Sequence, residues 1–173
     1  DFDLGKHQEY SGKKLQYFDP EENENYTPYV VETSIGLDRM FFVTMVNALE
    51  EEELENGESR DVLKLPPALA PYKVAVLPLT KKDGLPEMAR KIVDELKFDF
   101  NCYYEEKDSI GKRYRRQDAI GTPYCVTVDH DSLVNNDVTI RYRDSMEQKR
   151  VPISELRSII EKEVSLGELL KKL

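Results

Sequence analysis

Apolar positions recur with two different spacings along the C-terminal part of the chain, and together they predict alternating strands and helices. Short apolar blocks bounded by turn residues predict strands at YKVAVLPL, FDFNCYYE and TPYCVTVD, then a hairpin at DVTIRYR and QKRVPI. Helical spacing predicts helices in LPEMARKIVDELK, SIGKRYRRQDAIG and SELRSIIEKEV. Strands that alternate with helices pair in parallel, and a late hairpin pairs antiparallel. We therefore expect an α/β fold with a mixed five-stranded sheet and three helices.

The N-terminal part of the chain follows a different pattern. LQYFDPEENENYTPYVVET predicts a hairpin with its turn at Asp19-Pro20, and from Leu37 the apolar positions have helical spacing. The acidic run EEEELENGESRD has the character of a solvated helix end and an exposed linker, and the prolines of LKLPPALAPYK favour extended chain. We therefore divide the chain into residues 1–60, a Pro-rich linker at 61–70 and a second domain at 71–173.

Composition and charge narrow the class of protein. Apolar residues make up 39% of the 173 residues and charged residues 34%, and no apolar run approaches the ~20 residues of a membrane helix. We expect a soluble globular chain. Its first residue is Asp1 and no signal-peptide pattern follows it, so we also expect the chain to be a piece of a longer protein. Residues 1–60 carry 5 basic and 15 acidic side chains, whereas residues 61–173 carry 20 basic and 19 acidic side chains. The first part is therefore strongly acidic and the second nearly neutral.

The cysteines and histidines predict no metal site. Cys102 and Cys125 lie in apolar blocks at a spacing that matches no zinc or redox pattern, so we expect two reduced, buried thiols in a cytoplasmic protein. His7 and His130 are isolated in the sequence, and His130 stands between two aspartates, which is typical of a turn.

Candidate chemistry is concentrated in YVVETSIGLDRMFFVTM, where a strand-like pattern gives way to a helical one. Residues two apart on a strand point to the same side, so Glu32 and Ser34 share a face. A carboxylate beside a hydroxyl suits a small ammonium group, and Gly36 leaves room for a close approach. Arg39 lies in the first helical turn, where its guanidinium can stack on a purine or bind phosphate. The alternative is an ordinary strand carboxylate, a turn glycine and a surface charge.

The residues of this junction resemble a known family. A strand followed by SIGLDR is similar to motif 3 of class II aminoacyl-tRNA synthetases, which consists of a strand, a glycine and an arginine that opens a helix. VVETSIGLDR, the upstream DFDLGKHQEYSGK and the downstream LKLPPALAPYKVAVLPL together resemble the dimeric type of glycyl-tRNA synthetase over essentially the whole chain. The resemblance implies that residues 1–60 are a remnant of the antiparallel catalytic domain, including motif 3. It implies that residues 71–173 are the class IIa anticodon-binding domain.

The same resemblance implies an activity and roles for the junction residues. It implies a glycine-tRNA ligase that joins glycine to tRNA(Gly) with ATP as substrate, with Mg²⁺ in the full enzyme and a homodimer as its assembly. Arg39 would hold ATP beside Gly36, and Glu32 and Ser34 would bind the amino group of glycine. Thr33 departs from the proline expected in many relatives, but it faces away from that pair. Nothing in the chain resembles motifs 1 and 2, so we expect this chain alone to form no glycyl-adenylate.

The resemblance also implies that the second domain binds the anticodon region of tRNA. Single-stranded bases are read by stacking on aromatic side chains and by hydrogen bonds to their edges, with basic side chains on the phosphates. A charged surface helix is the plain alternative for the basic run. The candidates are Lys112, Arg113, Arg115, Arg116, Tyr103, Tyr104, Arg141 and Arg143.

Two rival functions stay open at this stage. A non-catalytic, synthetase-like accessory subunit of a mitochondrial DNA polymerase would share the scaffold, but it would not need Glu32, Ser34 and Arg39 together. A flavodoxin-like enzyme would carry a glycine-rich phosphate loop after YKVAVLPL, where TKKDGLP stands instead. The joint presence of the three polar residues favours the synthetase.

Overall fold

The structure, a computed structural model, describes residues 2–54 and 57–171. Contacts between Cα atoms divide the chain into two compact units, Asp1–Met40 and Phe41–Leu173. This division lies upstream of the boundary that the sequence predicts at residues 60 and 61. Of the helices in the described part, none is long and apolar enough to span a bilayer.

The first unit contains a helix and a short hairpin. Helix α1 (Phe2–Ser11), which the sequence did not predict, precedes the antiparallel strands β1 (Tyr17–Asp19) and β2 (Glu24–Tyr26). The side chain of Asp19 accepts hydrogen bonds from the backbone N–H groups of Glu21 and Glu22 at 2.9 and 3.3 Å. The predicted hairpin and its turn at Asp19-Pro20 are confirmed.

The acidic run forms a second hairpin, so the predicted solvated helix end and exposed linker are wrong. After helix α2 (Leu37–Ala48), strand β3 (Leu49–Glu53) pairs antiparallel with β4 (Ser59–Leu63). Residues 55 and 56 of the run lie outside the described residues. Alternation within β4 buries Arg60 and Val62. The following segment, predicted as a linker, also buries Leu65 and Ala70 around a 3-10 turn at Pro67–Leu69.

A five-stranded sheet forms the centre of the second unit, in the order β6-β5-β7-β8-β9. β5 pairs in parallel with β6 and β7, and the later pairs β7–β8 and β8–β9 are antiparallel. The predicted mixed sheet is confirmed. The strands are β5 (Val74–Pro78), β6 (Cys102–Tyr104), β7 (Tyr124–Val128), β8 (Asp137–Tyr142) and β9 (Gln148–Pro152).

The three predicted helices are present, together with two short ones. Pro86 lies in the first turn of α3, where a proline costs no helical hydrogen bond, and Gly121 ends α4 in the left-handed conformation at φ +83°. Ser109 precedes α4 but makes no side-chain capping hydrogen bond. The helices are α3 (Leu85–Leu96), α4 (Ile110–Ile120), α5 (His130–Asn135), α6 (Leu156–Val164) and α7 (Leu166–Leu170).

Strand parity divides the core into two layers. Val74 and Val76 face a large cluster that includes α3 and α6, whereas Leu77 and Cys125 face a smaller cluster under α4. Both cysteines are free, and burial raises the pKa of the Cys125 thiol to about 12. The sheet is thus covered on both faces, and its loops remain at the strand ends.

Candidate functional site

Glu32 and Ser34 lie in a segment, residues 27–36, that belongs to no strand of the described structure. The strand predicted for the first half of the junction is therefore wrong. Alternation of apolar and polar residues suits a strand, but a strand also needs a neighbouring chain that accepts its backbone hydrogen bonds. No described residue pairs with this segment in that way.

The same-side placement of the two polar residues does hold. Ser34 Oγ donates a hydrogen bond to Glu32 Oε1 at 2.7 Å, and both side chains are exposed. The hydroxyl fixes one carboxylate oxygen and leaves lone pairs on both residues free to accept from a further donor. An ammonium group placed there would receive charge-assisted hydrogen bonds.

Gly36 and Arg39 meet at the start of α2. The carbonyl oxygen of Gly36 accepts the first helical hydrogen bond, from Met40 N at 3.0 Å. A Cβ built at Gly36 would meet only carbon atoms of the Arg39 side chain, at 3.8 to 4.0 Å. The aliphatic part of Arg39 therefore lies over the glycine, and its side chain is exposed to solvent. An exposed guanidinium at this point can bind an anionic group.

The basic residues predicted to contact tRNA fall into two groups. Arg113, Arg141 and Arg143 are 1%, 5% and 2% exposed, and each donates hydrogen bonds inside the protein. Their burial corrects the prediction that these three side chains contact tRNA directly. Lys112 is exposed, while Arg115 and Arg116 are partly exposed.

Arg141 belongs to a buried cluster of three charges. It donates two hydrogen bonds to the carboxylate of Asp118, at 2.7 and 2.9 Å, and Arg60 of β4 donates a third at 2.9 Å. Burial alone would lower the pKa of Arg141, but the hydrogen bonds and charge of Asp118 outweigh it and the pKa is raised. The cluster joins the β3–β4 hairpin to α4 and β8.

The guanidinium of Arg143 donates hydrogen bonds to backbone carbonyl groups of the protein and not to a ligand. Its Nη1 donates to the carbonyl oxygens of Leu63 and Gly121 at 3.0 and 2.9 Å, and its Nη2 donates to that of Leu65 at 2.9 Å. Asp144 accepts from its Nε at 2.6 Å. All of these partners belong to the second unit, so Arg143 fixes the segment after β4 against the sheet.

Arg113 also binds carbonyl groups, at the carboxyl ends of two parallel strands. Its Nη1 donates to the carbonyl oxygens of Pro78 and Glu105 at 2.7 and 3.2 Å, and its Nη2 donates to that of Leu79 at 3.3 Å. Its Nε is buried without a hydrogen-bond partner. Burial lowers the pKa of this guanidinium.

The loop after β6 is held by two further arginines. Arg116 binds both carboxylate oxygens of Glu105 at 3.1 and 2.7 Å and also reaches Asp108 at 3.1 Å. Arg90 of α3 binds Glu106 at 3.4 Å. The acidic side chains of this loop are therefore paired with arginines.

The two candidate tyrosines are partly buried and have partners. Tyr104 donates a hydrogen bond to Glu106, and Arg90 lies 4.9 Å from the centre of its ring. Tyr103 packs edge-on against Tyr72 with ring centres 5.1 Å apart. Either ring would have to exchange a contact to stack on a base.

Sequence reasoning missed Arg60 and Asp118, which complete the buried cluster. Arg60 stands in an acidic run that read as a linker, although the alternation in SRDVL is a strand signal. Within the described part of the chain, no three His, Cys, Asp or Glu side chains are grouped so as to hold a metal ion.

Comparison with known proteins finds relatives that match nearly the whole chain. It is 52% identical to the glycine-tRNA ligase of Borrelia hermsii over 165 residues, which is 94% of this chain and 37% of that protein. The identity is 54% over 161 residues for Clostridium beijerinckii, covering 93% and 34%, and 55% over 166 residues for Clostridium perfringens, covering 94% and 35%. The chain thus spans about a third of the length of these relatives. None of them supports the DNA polymerase accessory subunit.

Two solved structures share the fold. Prolyl-tRNA synthetase from Cryptosporidium parvum, complexed with halofuginone and AMPPNP, superposes with a TM-score of 0.55 at 20% identity, over 70% of this chain and 32% of that chain. The RNA binding domain of threonyl-tRNA synthetase from the same species gives 0.53 at 22%, over 58% and 25%. These likenesses confirm the predicted fold class.

A family described as "Anticodon binding domain" matches residues 73–163, just over half of the chain. This range contains the whole five-stranded sheet, with helices on both of its faces. The resemblance to glycyl-tRNA synthetases is confirmed by the identity over nearly the whole chain, and the chain belongs to the anticodon-binding-domain family.

Proposed function

We propose that this chain is part of a glycine-tRNA ligase and contributes anticodon recognition and one side of the amino-acid site. The observation that carries the proposal is the 52 to 55% identity to glycine-tRNA ligases over 93 to 95% of the chain. The hydrogen-bonded pair of Glu32 and Ser34 gives it a chemical basis.

The proposed role of that pair is to bind the ammonium group of glycine. Ser34 holds one oxygen of Glu32, which leaves the carboxylate oriented and still able to accept from a cationic donor. Removing the Glu32 carboxylate would take away the charge that offsets the desolvation of the ammonium group. Thr33 lies between the two and provides a matched control.

Arg39 would act on ATP in the same reaction. The glycine carboxylate attacks the α-phosphorus of ATP and pyrophosphate leaves. The 3′ hydroxyl group of tRNA then attacks the carbonyl carbon of glycyl-adenylate, giving the glycyl ester, AMP and a proton. An exposed guanidinium at the start of α2 can stabilise phosphate charge or stack on the purine, so catalysis would be electrostatic and positional. The aliphatic part of Arg39 lies over Gly36, at a distance that a Cβ at position 36 would also accommodate.

Magnesium would enter with ATP rather than through a cluster of ligands on this chain. Mg²⁺ is usually held by one or two carboxylates together with substrate phosphates. The described residues offer no group of three potential ligands. The proposal also includes a homodimer and a cytoplasmic location, with which two free cysteines are compatible.

Recognition of tRNA would be the task of the second unit. Of the predicted basic cluster, Lys112 is exposed. Arg116 is paired with Glu105 and Asp108, and Arg115 lies 3.8 Å from Glu58, so either arginine would exchange a carboxylate partner for an RNA phosphate. Tyr103 and Tyr104 remain candidates for base contacts if a base replaces their present aromatic or cationic neighbours.

The test is glycine-dependent exchange of pyrophosphate into ATP by the full-length protein. Glu32→Ala and Arg39→Ala should each abolish exchange, while Thr33→Ala should retain it. This chain alone should show no exchange. Near-normal exchange in the Glu32 or Arg39 variant would refute the assigned roles, and exchange that depends on another amino acid would refute the proposed substrate.

A further inference from the structure

We propose that Arg60 is a positioning residue for the transfer of glycine to tRNA. By joining the β3–β4 hairpin to α4 and to the end of β8, Arg60 holds the anticodon-binding domain, residues 73–163, in one orientation relative to the end of helix α2. The inference rests on the proposed function, because it takes the second unit to bind the anticodon and α2 to carry the ATP-binding residue Arg39. Arg60 acts only through the placement of these elements.

The hairpin packs directly against the end of α2. β3 begins at the residue after α2, and the backbone N–H of Lys64, the residue after β4, donates to the carbonyl oxygen of Ala48 at 2.6 Å. Ala48 is buried together with Leu63 and Leu65. Met45, one turn earlier in α2, packs against the same cluster. The end of α2 and the hairpin therefore form one packed group.

Arg60 joins this group to the anticodon-binding domain. Its side chain is fully buried, and its Nη1 donates to Asp118 of α4 at 2.9 Å and to the carbonyl oxygen of Arg143, just after β8, at 3.0 Å. Its Nε donates to Glu52 of β3 at 2.7 Å. One planar guanidinium thus links both strands of the hairpin to two elements of the domain, a geometry that the ammonium group of lysine cannot reproduce.

The charges of the domain are satisfied without Arg60. Asp118 accepts two hydrogen bonds from Arg141, at 2.7 and 2.9 Å, and Glu52 keeps an ion pair with Lys64 at 2.6 Å. Burying a further charge has a desolvation cost that an apolar side chain of similar size would avoid, and buried ionic groups in some proteins serve to specify one arrangement. The arrangement that Arg60 specifies is that of the hairpin on α4.

A fixed arrangement matters because tRNA engages two sites of the enzyme at once. When one end of a ligand is bound, the effective concentration of its other end at the second site depends on how well the two sites match the span of the ligand. A loosened hairpin would spread the anticodon-binding domain over several orientations. The 3′ end of a bound tRNA would then reach glycyl-adenylate less often.

The test compares Arg60→Met with the wild type in the full-length protein. Methionine fills much of the space of the arginine side chain, and each carboxylate partner of Arg60 keeps another cation. Glycine-dependent pyrophosphate exchange, which needs no tRNA, should stay within about twofold of the wild type, whereas kcat/KM for aminoacylation of tRNA(Gly) should fall by on the order of 10-fold. The Kd of an anticodon stem–loop RNA, measured by fluorescence anisotropy, should stay unchanged, because the domain that binds it keeps its own buried ion pair.

Lys64→Met is the matched control, since it removes a cation at the base of the same hairpin. The ion pairs of Lys64 with Glu50 and Glu52 lie within the hairpin, so this variant should aminoacylate tRNA(Gly) as the wild type does. Glu52→Gln is a second variant with a milder change, because the carboxylate is 25% exposed. It should lower kcat/KM for aminoacylation by about threefold and leave exchange unchanged.

The outcomes separate this inference from the proposed function. Equal losses of exchange and aminoacylation in Arg60→Met, or no loss of either, would refute positioning by Arg60 and leave the proposed function standing. Positioning is also refuted if Lys64→Met matches Arg60→Met, or if stem–loop binding weakens as much as aminoacylation in both the Arg60 and the Glu52 variant. A wild-type protein that attaches no glycine to tRNA(Gly) would instead refute the proposed function.

Discussion

Replacing Asp118 with asparagine should strongly destabilise the second unit. The carboxylate is fully buried and accepts three hydrogen bonds, two from Arg141 and one from Arg60. Asparagine keeps the size of the side chain but removes its charge, and its NH₂ group would face guanidinium donors. Two buried cations would then lack their shared anion.

The magnitude follows from what each arginine retains. Removing one partner of a buried ion pair costs about 3–5 kcal/mol. Arg60 keeps its ion pair with Glu52 and a hydrogen bond to the carbonyl of Arg143, and Arg141 keeps the face of Tyr114 at 4.8 Å. We therefore expect the lower end, about 3 kcal/mol, which is a large part of a typical total of about 5–15 kcal/mol. For a chain of this size Tm should fall by about 6–12 °C.

Urea unfolding followed by circular dichroism measures the change in the free energy of unfolding. Asp94→Asn is the control, because the ion pair of Asp94 with Lys97 on α3 is exposed and should contribute little. A cost for Asp118→Asn of less than about 1 kcal/mol, the range of surface pairs, would refute the reasoning that the cluster is buried and interdependent.

Three further predictions concern the backbone conformation of two glycines, the reactivity of a buried thiol and the pH dependence of stability. Gly121→Ala should cost about 2 kcal/mol in urea unfolding, because its Cβ would lie 3.0 Å from a carbonyl oxygen of β4, whereas Gly84→Ala, at a similar φ with open space, should cost about 1. Iodoacetamide should leave Cys125 unlabelled in the native protein and label it after unfolding, since burial raises its pKa to about 12. Hydrogen bonds from Arg150 lower the pKa of Asp129, so its contribution is complete above pH about 4 and is lost as pH falls. Asp129→Asn keeps an N-cap residue but loses the ion pair with Arg150, so it should be less stable at pH 7 by up to about 1 kcal/mol and match the wild type near pH 2. Labelling of native Cys125, equal glycine costs, or a pH-independent difference would contradict them.

The strands and helices of the second unit were predictable because the elements that each of them packs against lie in the same unit. Short apolar blocks located the five strands of the sheet, and helical spacing located α3, α4 and α6. The acidic hairpin was missed because its strand signal is short and is outweighed by charge. Its stability depends on Arg60 reaching a carboxylate 58 positions away.

The candidate site was predictable only in part, because partners that are distant in the sequence decide which side chains are buried. Strand parity placed Glu32 beside Ser34, because residues two positions apart can contact each other without a distant partner. The basic run of α4 looked uniformly exposed, yet Arg113 is buried by carbonyl groups of two other strand ends. Sequence spacing does not reveal such partners.

The central claim is tested most directly by aminoacylation of tRNA(Gly) with radiolabelled glycine by the full-length protein. The account predicts glycine attachment that is abolished by Glu32→Ala, retained in Thr33→Ala, and reduced in kcat/KM when the anticodon of the tRNA is changed. Failure to attach glycine, or attachment that is indifferent to both Glu32 and the anticodon, would contradict it.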